Sequence, residues 1–307
     1  MCTCVPTGDT ARASWDEWWT YDGISGPDFW GLLNPDWHLC SRGRAQSPID
    51  LDPQQLLFDP RLKPFVFRAK PVEATLINTG HVIFISLPES SSLVPTISGG
   101  PLQYTYAIAG LHIHHGQEDW NGSEHTIAGH AYPAELQMLG YNSDLFANLT
   151  AAFESREGSA LVALSVMLRV GSSSHSEFRL ITNQLSKVIY RDQKAQIERL
   201  DVSRLLPPTE EYMTYTGSLS QPNCLESVRW LVMNKAIQVS RQQINLLRKL
   251  MQGDKQNPKA PLWNNRRPLQ PLNNRIVHTN IDFKRSRNVE VRPSEHEHNS
   301  YTGLFPR

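Results

Sequence analysis

A single, mainly β domain with a few surface helices is what this sequence predicts. Two observations carry that expectation. From about residue 56 the apolar residues fall in short runs of strand length, separated by clusters of turn-forming residues such as LPESSSLVP and Ser98-Gly-Gly-Pro101. Helix-period apolar stripes, in contrast, are few, and no segment repeats itself.

The composition is that of an ordinary globular chain. It has 307 residues, 39% hydrophobic and 20% charged, with 30 basic and 30 acidic side chains. That length suffices for one large domain with a sizeable core. A net charge of zero gives no footprint for nucleic acid or other polyanions. The longest near-continuous apolar run, Leu161 to Leu168, has the length of a strand and not of a membrane span.

Taken in order, residues 1–14 are expected to be a disordered segment, and they lack the apolar core of a secretory signal. Residues 15–48 hold five tryptophans between Gly and Pro breaks, which predicts an irregular arm anchored by aromatic rings and not a helix. Strands are expected at 65–67, 74–77, 81–87, 103–114, 134–139, 161–170, 228–233 and 237–239. One helix is expected over Phe178 to Tyr190. A second, over Ser240 to Gln252, has Ser240 and Gln243 spaced as a capping box ahead of Ile244, Leu247, Leu250 and Met251. The folded domain is taken as 15–283. Residues 284–307 are polar and are expected to form a disordered tail in which His296 and His298 are solvated.

The chemistry concentrates between Gly110 and Asn142. His112 and His114 stand at i and i+2, so on a strand both imidazoles share a face and can seed a metal site, since Zn²⁺ favours nitrogen ligands. His115 then faces the other way, where a structural role is expected. A second alternating run, Ala134 to Leu139, puts Gln137 where a third inward ligand would come from. Cys2 and Cys4 read as exposed terminal thiols. For Cys40 and Cys224, a disulfide and two free buried thiols are both open from composition.

Eight motifs then occur in one order: Gln46-Ser-Pro-Ile49, Asn78-Thr-Gly-His81, Ser98-Gly-Gly-Pro101, His112-Ile-His114, Gly122-Ser-Glu-His125, Ala134-Glu-Leu136, Tyr215-Thr-Gly-Ser-Leu219 and Arg267-Pro-Leu-Gln-Pro271. The series resembles the α-class carbonic anhydrases over roughly residues 15–283. That resemblance implies a central twisted, mostly antiparallel sheet whose pocket holds zinc on three histidines, with the metal acidifying a water that attacks CO₂. Position by position it implies His112 and His114 as the first two ligands and Gln137 at the third. Glu124 matches the carboxylate that accepts from a gatekeeper hydroxyl, here Ser220. His81 matches the proton shuttle and Tyr21 the pocket tyrosine, while Leu139, Ala163, Leu219 and Trp230 match the apolar wall. Glu135 matches the group that orients the third ligand, Asn265 the one whose backbone carbonyl fixes His114, and Gly110 stands where the family has a Gln on the first histidine.

An amide oxygen is a poor Zn²⁺ donor beside imidazole or thiolate. Together with Phe29-Trp-Gly-Leu-Leu-Asn34, Met233-Asn-Lys235 and Pro271-Leu-Asn-Asn-Arg275, Gln137 resembles the carbonic anhydrase-related proteins X and XI. The resemblance implies a secreted, catalytically silent protein with a neurexin-type partner. Those proteins have Arg in place of the first histidine, whereas His112 is retained here, so a low-activity zinc enzyme with a His-His-Gln shell is the alternative. It also implies a Cys40–Cys224 disulfide and an extracellular location. The sequons at Asn121 and Asn148 agree with secretion, and the missing signal is then explained by a truncated start.

Overall fold

A computed structural model describes residues 19–88 and 93–283. The expectations for residues 1–18 and 284–307, including those for Cys2, Cys4, His296 and His298, lie outside the described residues.

Fifteen strands are described: β1 (Asp50–Leu51), β2 (Leu57–Phe58), β3 (Phe65–Arg68), β4 (Val72–Asn78), β5 (Ile83–Ser86), β6 (Thr96–Gly99), β7 (Tyr106–His115) and β8 (Thr126–Ile127), followed by β9 (Ala134–Asn142), β10 (Leu161–Gly171), β11 (Lys194–Leu200), β12 (Tyr212–Gly217), β13 (Val228–Met233), β14 (Ile237–Ser240) and β15 (His278–Thr279). Thirteen of them form one sheet whose main path runs β11-β4-β5-β7-β9-β10-β13-β12-β15-β2. Most pairs are antiparallel; β10 runs parallel to β13 and β14, and β15 to β2. The central strands are covered on both faces, which is why all nine residues of β9 are buried, the polar Glu135, Gln137 and Asn142 included.

Alternation along these strands sorts two cores. One face carries Leu136 and Met138 from β9, Leu164 and Val166 from β10, and Leu231 from β13, packed under helices near the carboxyl half. The other carries Ala163, Val228 and Trp230 and forms the floor beside the histidine pocket. β7 serves both faces. Its pairing with β9 shifts between Ile108 and Gly110, an irregularity that re-aims the end of the strand holding the two histidines.

The helices are shorter than the sequence suggests. α1 (Trp30–Leu33) and α2 (Leu39–Arg42) are single turns in the arm that was expected to be non-helical. Buried Trp30 organises that arm, its indole N–H shared between the carbonyls of Thr20 and Ser25. Asn148 caps α3 (Leu149–Ser155). In place of one helix over 178–190 the chain forms α4 (Ser176–Thr182), then a 3-10 turn over Leu185–Lys187, whose i+3 bonds turn Leu185 and Val188 into the core. α5 (Arg241–Leu247) begins with the expected Ser240–Gln243 capping box. It stops five residues early because the Met251 N–H leaves the helix for the carbonyl of Ile189.

Candidate functional site

In the β7–β9 register His112 lies directly opposite Gln137, and His114 opposite Glu135. One face of two neighbouring strands therefore presents both histidines, the amide and the carboxylate together. The two imidazole centroids are 6.4 Å apart. His114 is fully buried, and its Nδ1 sits 2.6 Å from the carbonyl oxygen of Asn265. A carbonyl only accepts, so Nδ1 carries the proton. Nε2 then has no hydrogen-bond partner and lies 3.5 Å from the nearer oxygen of Glu124. His112 is held by packing: the Phe84 ring meets it edge-on at 5.2 Å. Burial, with His114 alongside, lowers its pKa to about 3, so its ring is neutral. A Cβ at Gly110 would sit 2.4 Å from that Phe84 ring and 2.8 Å from the Ile85 carbonyl, so Phe84 fills the ground a polar orienter would need.

Gln137 is buried, and its Nε2 donates to Glu124 Oε2 at 2.8 Å and to Glu135 Oε1 at 2.9 Å. Both N–H groups are thus spent on carboxylates, and the amide oxygen is the one acceptor atom Gln137 has left. Glu135 collects further donors: Ser165 Oγ and His125 Nδ1 on Oε1, and the backbone N–H groups of Glu124 and His125 on Oε2. Burial pushes its carboxyl up, but the charge and hydrogen bond of His125 and the bond from Gln137 outweigh that and hold it to about 2. The Ser220 hydroxyl is not among the donors to Glu124, contrary to the expectation of a gatekeeper bond. Glu124 accepts instead from the Arg267 backbone N–H at 3.0 Å and from the Gln137 amide N–H.

His112, Gln137 and Ser220 open on a small cleft of about 100 Å³, with Leu139, Ala163, Leu219 and Trp230 as its apolar wall. Phe153, brought in by α3, and Gln221 also line it, and neither was picked out from the sequence. Gln221 donates to the Tyr21 hydroxyl at 3.2 Å, and burial raises that phenol well above its usual range. His81 does not border this cleft. Its ring stacks on Trp19 at 4.0 Å, and with Tyr21 and Asn265 it lines a separate cavity of about 170 Å³. A further buried chain, His125 to Tyr215 to Ser47, was also missed; a lone His in GSEH gives no signal for it.

Cys40 and Cys224 are joined by a disulfide that ties α2 to the loop after Ser220. Of the two sequon asparagines, Asn148 is exposed and Asn121 half-buried.

A family model described as eukaryotic-type carbonic anhydrase matches residues 25–281. The chain belongs to that family. Two Caenorhabditis elegans relatives are named carbonic anhydrase-like proteins. The one numbered 2 is 37% identical over 271 residues, 85% of this chain and 79% of the relative. The one numbered 1 is 32% identical over 342 residues, 89% of this chain and 92% of the relative.

Carbonic anhydrases normally bind zinc, and the residues present fit that ion only in part. The unpartnered, fully buried Nε2 of His114 is the kind of atom a metal satisfies, with His112 beside it. Against that, no group of three or more His, Cys, Asp or Glu side chains suited to a metal occurs among the described residues. Gln137 brings a neutral oxygen where the family has a nitrogen. As a set these donors do not fit the three-imidazole centre of a zinc hydrase.

Proposed function

We propose that this is a catalytically silent carbonic anhydrase-related protein that acts outside the cell as a binding partner of another protein. The observation that carries the reading is the Gln137 amide, hydrogen-bonded at once to Glu124 and Glu135. CO₂ hydration needs a metal that acidifies water to near neutrality, and the dominant levers are ligand set and the support behind it. Here the third nitrogen is gone, the polar support of the first histidine is replaced by Phe84, and the Glu124 oxygens are taken by Gln137 and Arg267. The Cys40–Cys224 disulfide supports an oxidising compartment. A neurexin-type partner rests on the resemblance to related proteins X and XI.

One observation favours the second reading, a low-activity zinc enzyme: His112 and His114 are both retained, and the buried Nε2 of His114 is left without a hydrogen-bond partner. Elemental analysis of the purified protein paired with stopped-flow CO₂ hydration separates the two. The silent reading expects no stoichiometric zinc and no turnover above buffer. Stoichiometric zinc with inhibitor-sensitive turnover would replace it with the enzyme. A pull-down with a neurexin ectodomain tests the partner, and the absence of binding at micromolar concentration would remove it.

A further inference from the structure

The sequence holds two N-linked acceptor triplets inside the domain, and the fold treats them very differently. Asn148-Leu149-Thr150 lies on the surface, with Asn148 and Thr150 both exposed. Asn148 Oδ1 accepts the Ala151 N–H at 2.8 Å as the cap of α3, which orients the amide and leaves Nδ2 without a protein partner. Leu145, half exposed, stands three residues upstream, so the surface around the amide includes bare hydrocarbon.

Asn121-Gly122-Ser123 is instead packed against Tyr132, Pro133 and Arg266. Asn121 Oδ1 accepts from the Arg266 guanidinium. Ser123 is buried, its hydroxyl donating to the His125 carbonyl at 2.7 Å and accepting from the Tyr132 N–H at 2.9 Å. Between them the Gly122 Cα faces the Pro133 carbonyl so closely that a Cβ would lie 1.9 Å from its oxygen. Nothing bulky fits at that turn without moving it.

We infer that Asn148 carries an N-linked glycan and that Asn121 does not. This deepens the proposed function, since it rests on passage through the secretory pathway. The reaction joins Asn148 Nδ2 to the anomeric carbon of an oligosaccharide delivered on a lipid diphosphate. The N–C bond forms as the C–O bond to the diphosphate breaks, the amide loses one proton, and the lipid diphosphate leaves. Oδ1 is untouched, so the cap of α3 survives modification. The sugar covers Leu145 and the outer end of the helix that delivers Phe153 to the cleft.

The test expresses the full chain in animal cells behind an added secretion signal and reads intact mass and gel mobility before and after peptide N-glycosidase. The wild type is expected to carry one glycan, released by the enzyme, with the conversion to Asp mapped to residue 148. Asn148→Asp keeps a capping oxygen and Thr150→Ala keeps Asn148 itself, so either variant is expected to fold and to lose the glycan. Asn121→Asp retains the acceptor for Arg266 and is expected to leave the mass unchanged apart from the substitution. An unmodified wild type, a glycan that persists in Thr150→Ala, or one lost in Asn121→Asp would overturn the inference. Secretion is judged separately, from whether the natural full-length gene product reaches the medium. A secreted, unglycosylated protein sinks the inference alone, and an intracellular one that glycosylates once forced through the pathway sinks the extracellular reading alone.

Discussion

The Gln137 side chain has two donors and one acceptor, and its surroundings use up the donors. With Nε2 between Glu124 and Glu135, the amide links two carboxylates that would otherwise face each other across a buried gap. Replacing it by imidazole restores the missing nitrogen while leaving Glu135 as a ready acceptor for the second ring N–H. Gln137→His is therefore expected to gain zinc at one equivalent, read by elemental analysis and by a rise in melting temperature on adding the metal. A variant that folds yet stays metal-free would show that the pocket has drifted beyond its ligands. The neighbouring defect is of a different kind. Gly110→Gln on its own is expected to destabilise the fold, by roughly 1–3 kcal/mol in denaturant unfolding, because the new side chain overlaps the Phe84 ring and presses on the Ile85 carbonyl. Pairing it with Phe84→Ala is expected to recover part of that loss by making room. No recovery in the double variant would show that the backbone clash dominates.

At the scale of elements, the Cys40–Cys224 link closes a span of 184 residues. Chain entropy puts its worth at about 5 kcal/mol. The Cys40→Ser/Cys224→Ser variant is thus expected to unfold several degrees lower, with the arm over residues 19–42 gaining protease sensitivity first; an unchanged denaturation midpoint would deny the link that role. Buried Arg267 ties the same elements, donating to the carbonyls of Cys40 and Ser47 and to Gln46 Oε1, so the arm is held by charge-assisted bonds as well. Much of this scale could be read from the residues. Strands such as β9, β10 and β13 announce themselves because apolar runs bounded by turn residues have few other uses, and the His112–His114 face follows from strand alternation. The misses have physical causes. α4 and α5 end early through tertiary bonds such as Met251 N–H to Ile189, which no local pattern encodes. Phe84, Phe153 and Gln221 reach the site from segments distant in sequence. Only the folding of the Glu124 loop against β9 reveals that Gln137 spends its N–H groups on two carboxylates and leaves Ser220 out.

Across the whole molecule, the buried histidines and carboxylate whose pKa the fold lowers all make stability fall toward acid pH. His115 faces the core opposite the pocket and is fully buried. Burial first, then the neighbouring His114 and the Arg248 guanidinium, lowers its pKa to about 3 from the usual 6.5. The folded state thus refuses a proton that the unfolded chain accepts. Its contribution is complete above pH 6.5, declines as pH falls below that value, and is exhausted near pH 3. Glu135, held to about 2, acts in the same sense over a lower window, from 4.5 downward, because there the unfolded carboxylate takes up a proton that the folded one does not. These terms add, together with that of His112, whose pKa is likewise held to about 3, so the melting temperature is expected to fall steadily from pH 7 to pH 4, with His112 and His115 sharing the upper part of the slope. His115→Phe fills the same apolar space with a group that never titrates. It is expected to make the stability profile shallower between pH 6.5 and pH 4, a gain of order 2–3 kcal/mol at the acid end, with the His112 share of the slope remaining. Parallel wild-type and variant curves over that range would mean that the His115 proton is not what the fold excludes.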